Sequence, residues 1–192
     1  INRSLYGAEV QTTVTPTERN QVRLTFNIVE GRPARIKDIS IVGNHAFDEG
    51  TLKDLFNLDT GGWLAWYTKS DQYSRSKLNA DLEALRSYYL NRGYLDFKID
   101  STQVAISPDK QSISITVNVT EGQRFVVSGV SIDGNLLGRD DEFKSLISIK
   151  PGEAYNAEQV AATTKAITDQ LGNYGYAFAK VEAVPDVDRA NN

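Results

Sequence analysis

Two stretches of this chain echo one another: NIVEGRPARIKDISIVGN, from Asn27 to Asn44, and NVTEGQRFVVSGVSIDGN, from Asn118 to Asn135. They stand 91 residues apart. Stacked solenoid repeats recur every 20–50 residues or so, so each copy here marks one small globular module in a tandem array. The echo sets the template on which the other elements are laid out.

Behind the first copy of Glu-Gly comes a β-rich run, Ile36, Ile39, Ile41 and Val42, ending at Gly43-Asn44. Val126, Val130 and Ile132 before Gly134-Asn135 repeat it, which predicts strand one of each module. A short amphipathic helix follows, with Asp48 as N-cap and Leu52, Leu55 and Phe56 on one face; Phe143, Leu146 and Ile147 are the later counterparts. A longer helix carries Leu78, Leu82, Leu85 and Tyr89 at helical spacing, matched by Val160, Thr164, Ile167 and Leu171. Both long helices end at a Gly-Tyr pair, Gly93-Tyr94 or Gly175-Tyr176, where glycine supplies the left-handed cap. A second strand from Leu95 to Ser107 and an alternating third, Ile113, Ile115, Val117 and Val119, complete the module.

The order β-α-α-β-β predicts an α+β fold. Two antiparallel helices return the chain so that strand two runs against strand one, and a tight turn at Pro108-Asp109-Lys110 sends strand three back. The expected three-stranded mixed sheet has order 1-3-2, with both helices on one face and strand two as an open edge. Residues 1–31 read as the C-terminal part of such a module, with the alternating Val22, Leu24, Phe26 and Ile28 as its third strand. Residues 32–122 read as a complete module, and 123–192 as one lacking its last strand.

This order of elements, the strand-one Gly-Asn turn, the helix ending Arg92-Gly93-Tyr94 and the Glu-Gly at each boundary resemble the polypeptide-transport-associated, or POTRA, domain. The strings IVGNHAF (41–47), LEALRSYYLNRGY (82–94), IDSTQVAISPDK (99–110) and VNVTEG (117–122) look like the BamA family of outer-membrane assembly factors. The resemblance covers the whole chain and implies the end of a second repeat, a whole third and most of a fourth. It implies no enzyme and no cofactor, but a periplasmic scaffold at the Gram-negative outer membrane. Such a scaffold binds unfolded outer-membrane β-barrel proteins and docks accessory lipoproteins, BamB on the middle module among them. Its membrane barrel would lie C-terminal to these residues. A POTRA array of a two-partner secretion transporter or a translocation-module protein is the alternative.

The mechanism that this implies is β-augmentation, in which an extended partner adds a strand to a sheet edge. The middle edge is the longest, with 14 positions from Tyr94 to Pro108 against 10 from Tyr6 to Pro16 and 9 from Tyr176 to Pro185. Its pattern also breaks step: Leu95, Phe97 and Ile99 are apolar at odd positions, Val104 and Ile106 at even ones. Either a β-bulge near Ser101-Thr102-Gln103 re-phases the strand, or Val104 and Ile106 face outward beside Asp100 as a docking surface.

Two further departures from the repeat stand out. Strand one recurs at an offset of 91 but helix two at 82, so the middle module holds nine extra residues within Thr60 to Tyr73. That insert carries Trp63, Trp66 and Tyr67, which are either pinned onto their own domain or exposed as a partner contact. The linkers, with Gly31, Arg32 and Pro33 at one and Gly122 and Gln123 at the other, are too short for independent tumbling and hinge at glycine.

Other chemistries find little support. Cysteine is absent, His45 is the only histidine, and neither a metal site nor a catalytic dyad follows from one imidazole in a turn. The acidic pairs Asp48-Glu49 and Asp140-Asp141 sit at equivalent helix starts, where carboxylates meet the positive end of the helix dipole. Gly61-Gly62 lacks the Lys and Ser or Thr of a phosphate loop. Lys69, Arg75 and Lys77 read as a solvated helical face. A net charge of -4 argues against nucleic-acid binding, and there is no apolar run near the roughly 18 residues of a membrane helix.

Overall fold

The computed structural model describes residues 8–18, 21–30, 34–58, 60 and 73–191. Two compact units are present: Ile1–Leu85 with Ile99–Val119, and Arg86–Lys98 with Thr120–Asn192.

The first unit opens with a hairpin of β1 (Glu9–Thr17) and β2 (Gln21–Val29), paired antiparallel with Val10 opposite Ile28 and Val14 opposite Leu24. Strand alternation sends the even-numbered residues of both strands to one face, so Val10, Val14, Val22, Leu24, Phe26 and Ile28 make it apolar. Each of the six is more than half exposed. Thr13 and Thr15 with the opposing Thr25 and Arg23 make the other face polar.

The sheet of the middle module has β3 (Arg35–Val42), β5 (Ser112–Thr120) and β4 (Lys98–Ile106) in the order β3-β5-β4, with β3 parallel to β5. This is the mixed 1-3-2 sheet of the expected α+β fold. Ile113, Ile115 and Val117 are wholly buried on the central strand, and Ile36, Ile39 and Ile41 line the same core from β3. Burying each such side chain contributes about 1.5–3 kcal/mol, so this row supplies much of the module's stability. Both Ile36 and Ile39 point inward because the β3–β5 register shifts between Ile36 and Asp38, which makes Lys37 a bulge residue. Gly43, at φ +97, closes the strand: a Cβ there would stand 2.2 Å from the Val119 carbonyl oxygen, so the Gly-Asn turn needs its glycine.

Helices α1 (Glu49–Lys53) and α2 (Arg75–Leu90) follow the predicted positions. Asp48 caps α1 by accepting from the Thr51 N–H at 2.9 Å, and the Glu49 carboxylate accepts from the Ile41 N–H at 3.1 Å. On α2, Leu78 and Leu85 are buried as expected, while Leu82 is only half-buried and its neighbour Asp81 is fully buried. The Asp81 carboxylate accepts from the Asn57 N–H at 2.8 Å, the Asn57 amide at 3.0 Å and the Leu58 N–H at 3.0 Å. It thereby ties the chain leaving α1 to α2.

In the second unit α3 (Asp140–Ser145) and α4 (Ala157–Asn173) repeat the helix pair. The tie is repeated too, in different chemistry: the Thr163 hydroxyl, on α4, accepts from the Ser148 N–H at 3.3 Å. The strands are not repeated. Val126 to Ile132 and Tyr176 to Pro185, expected as strands one and two, form no ladder; Val126 makes a single antiparallel bridge to Ala154. The cause lies in the 1-3-2 order, because strand three is the common partner of the other two and residues 123–191 supply no third strand. Val127 instead exchanges hydrogen bonds with the turn before α4, donating to the Glu153 carbonyl at 2.9 Å and accepting from the Gly152 N–H at 2.8 Å.

Candidate functional site: the edge strand of the middle module

Among the described residues, strand β4 has a partner on one side only, β5. The Ser107 N–H donates to the Ser112 carbonyl at 2.9 Å, and the Asn118 amide donates to the Ser101 hydroxyl at 2.9 Å. Ser101 to Ser107 and Ser112 to Asn118 are equal steps along antiparallel strands, so no residue is inserted between these two pairs. Val104 then lies opposite Ile115 and Ile106 opposite Ile113, on the face that the helices cover. Yet Val104 is 37% and Ile106 43% exposed, against 0% for the isoleucines they oppose. The helices reach the central strand and leave this part of the edge open.

Phe97 also faces the helices: it is buried and stacks on the ring of Tyr89 at 4.1 Å. Odd-numbered residues are thus inward at Phe97 and even-numbered ones at Val104, and the phase changes before Ser101. The change of phase thus falls before Ser101 rather than within Ser101-Thr102-Gln103, and the inward-phased Val104 and Ile106 remain accessible. Around them Asp100, Ser101 and Gln103 are exposed and Thr102 is half-buried. In an antiparallel ladder, residues alternate between bonding the neighbour and pointing their backbone groups away from it. Since Ser107 bonds β5, the N–H and C=O groups of Thr102, Val104 and Ile106 point to the free edge.

The turn at the end of this edge is tight. The Asp109 carboxylate accepts from the Ser107 hydroxyl and from the Gln111 N–H at 3.1 Å, and these bonds, the hydroxyl first, hold its pKa below the usual carboxylate value. Lys110 takes the left-handed φ of 57 that the reversal needs. A pocket of about 510 Å³ opens beside the turn, lined by Ala105, Ile106 and Ser107 of the edge, by Ser112 and Ser114, and by Lys37 of β3. Sequence reasoning missed this pocket. The bulge at Lys37 is its clearest sequence trace, visible as two isoleucines three positions apart in a strand.

The remaining expected site residues fall elsewhere. Gly31, Arg32, Pro33, Trp63, Trp66 and Tyr67 lie outside the described residues. Gly122, at φ +73, passes so close to Asp96 that a Cβ would meet its Cβ at 2.9 Å, and Gln123 is exposed. The Glu121 before it accepts from the Tyr89 hydroxyl at 2.7 Å, an arrangement that with burial of the ring raises the tyrosine pKa strongly. His45 is exposed, and among the described residues no group of His, Cys, Asp and Glu is placed to hold a metal. No helix among them is long and apolar enough to cross a membrane.

Known proteins share this architecture. The family model POTRA, described as a surface antigen variable number repeat, matches residues 34–122 and again 125–192. The chain belongs to the POTRA family. It is 32% identical over 186 residues to the outer membrane protein assembly factor BamA of Neisseria meningitidis, which covers 96% of this chain and 23% of that protein. With BamA of Buchnera aphidicola it shares 35% over 173 residues, 90% of this chain and 28% of the relative. The chain thus spans about a quarter of the curated relatives it matches. Among solved POTRA structures, that of Haemophilus influenzae BamA POTRA3-5 superposes with a TM-score of 0.70 at 28% identity, over 82% of this chain and 62% of the other.

Proposed function

We propose that this chain is a periplasmic scaffold segment of the outer-membrane β-barrel assembly machinery, and that β4 is where it takes hold of its partners. Unfolded outer-membrane β-barrel proteins are the proposed clients, and accessory lipoproteins such as BamB the proposed docking partners of the middle module. The observation that carries this reading is the edge of β4, where among the described residues the backbone groups of Thr102, Val104 and Ile106 have no strand to bond. Backbone pairing gives affinity that tolerates many sequences, which a scaffold serving many clients requires. Similarity to assembly factors across both matched POTRA segments favours this over the transporter alternative. Within it we assign residues 1–31, 32–122 and 123–192 to three successive modules, with Gly31 to Pro33 and Gly122 to Gln123 as the joints.

The test is nuclear magnetic resonance mapping with extended peptides from outer-membrane strands. Shifts are expected along Ser101 to Ile106, and Val104→Glu or Ile106→Glu is expected to abolish them with the circular-dichroism spectrum unchanged. Shifts confined to other strands would overturn the assignment.

A further inference from the structure

Two parts of this chain each hold what the other needs. At the 91-residue offset, Val22, Leu24, Phe26 and Ile28 of β2 stand for Ile113, Ile115, Val117 and Val119 of β5, so β2 is a strand of the third kind. In the middle module that strand is flanked by β3 and lies buried under a helix pair. Among the described residues β2 pairs with β1 alone, and its apolar row is 53–61% exposed.

Residues 123–191 hold the converse set: the helix pair α3 and α4 and a strand-one sequence, with no third strand. Their core is half built. Val130 is 42% exposed where its counterpart Ile39 is 4%, and Val160 and Leu171 of α4 are half-buried where Leu78 and Tyr89 of α2 are buried.

The backbone is arranged for the same completion. The Phe125 carbonyl accepts from the Tyr155 N–H at 3.1 Å, and Val127 bonds Glu153 and Gly152, so these two residues face the turn before α4. Alternation along an extended segment points the backbone groups of Val126 to the opposite side. Its counterpart at the offset is Arg35, whose N–H donates at 2.9 Å to the carbonyl of Gln111, just before β5. Among the described residues, the side of Val126 that a third strand would bond is unpaired.

We propose that two copies of this chain complete one another: Val126 to Ile132 of one copy lies parallel to the free edge of β2 in the other, with α3 and α4 closing over the apolar row of the hairpin. The register copied from β3 and β5 sets Val127 beside Val22, Val130 beside Leu24 and Ile132 beside Phe26. β1 then stands in the place of strand two, which restores the 1-3-2 order of the middle sheet. Both sets of apolar residues are exposed within one chain, so the complement comes from a second copy, as in a domain exchange. The inference rests on the hairpin being strands two and three of a module, as assigned above, and adds what covers it.

Light scattering on the 192-residue chain tests it. Association is expected to grow with concentration, and the hydrophobic-dye signal per chain to fall in step as the hairpin face is covered. Leu24→Ser with Phe26→Ser in one variant, and Val130→Glu in another, should each weaken association by about tenfold or more, as spoiling the centre of an apolar interface does. All three positions are exposed in the single chain, so the melt of the middle module should not change. Mixed in equal amounts, the two variants should recover a one-to-one complex, because the intact tail of one fits the intact hairpin of the other. Phe178→Glu should leave association unchanged although Phe178 is fully exposed, since β1 fills the place of strand two. An unaltered chain that stays monomeric, a Val130→Glu variant that associates normally, a mixture no tighter than its parts, or a loss with Phe178→Glu overturns the inference. None of these variants touches β4, so each outcome leaves the proposed client site to its own test.

Discussion

Asp81 shows how a single residue can carry a contact that no pattern announces. Replacing it by alanine leaves the Asn57 and Leu58 N–H groups without their acceptor where α1 meets α2, at a cost of about 1–3 kcal/mol; a lower urea midpoint checks this. Asp81→Asn keeps one acceptor oxygen and should lose less. On the helix the aspartate precedes Leu82, and a stripe read at helical spacing assigns Leu82 to the core and its neighbour to solvent. The structure reverses their burial, because the turn after α1 approaches with its N–H groups foremost. Gly43 was more legible, since a Gly-Asn pair ending a strand already signals a turn. Gly43→Ala should be strongly destabilising, with both a left-handed backbone angle and a 2.2 Å approach to a carbonyl against it, visible as a lowered melting temperature. Glu142 gives a pH signature. The Tyr174 hydroxyl, then Gln170 and Arg139, hold its pKa below the ordinary 4.5. A carboxylate with a depressed folded pKa stabilises above its unfolded value and loses that contribution as pH falls through the folded one. Tyr174→Phe should therefore flatten the fall in melting temperature between about pH 5 and pH 3.

At the scale of elements, β4 joins what the sequence announced to what it left open. The change of phase between Ile99 and Val104 is plain in the residue pattern, but pattern alone does not say which half of the strand is displaced. The pairing of Ser101 with Asn118 decides that. It also separates side chain from backbone: Val104 turns its side chain toward the helices and its N–H toward the free edge. Val104→Pro removes that N–H while sparing the ladder to β5, since proline is tolerated at an edge position facing solvent. The variant should keep a cooperative melt and lose peptide-induced shifts at the edge, and retained shifts would show that partners bind elsewhere. The last module teaches the converse lesson. Val126 to Ile132 has good strand composition and forms one bridge, because a strand exists only where another pairs with it.

For the molecule as a whole, the repeat does most of the explaining. Offset by 91, Val22, Leu24, Phe26 and Ile28 of the hairpin correspond to Ile113, Ile115, Val117 and Val119, yet the first four are 53–61% exposed and the second four at most 6%. The same pattern is a core where helices lie over it and, among the described residues, an exposed apolar face where none does. The 192-residue chain should therefore bind a hydrophobic dye, and Leu24→Ser with Phe26→Ser should remove much of that signal without changing the melt of the middle module. The sequence by itself determined the module, its element order, its 1-3-2 topology and its family, because hydrophobic period, glycine turns and a recurring spacing are local properties that survive without coordinates. Only the tertiary structure decided that Asp81 is buried, that Val104 and Ile106 face the helices yet stay accessible, and that a pocket reaches Lys37, because each depends on which distant segment arrives opposite, and from which side.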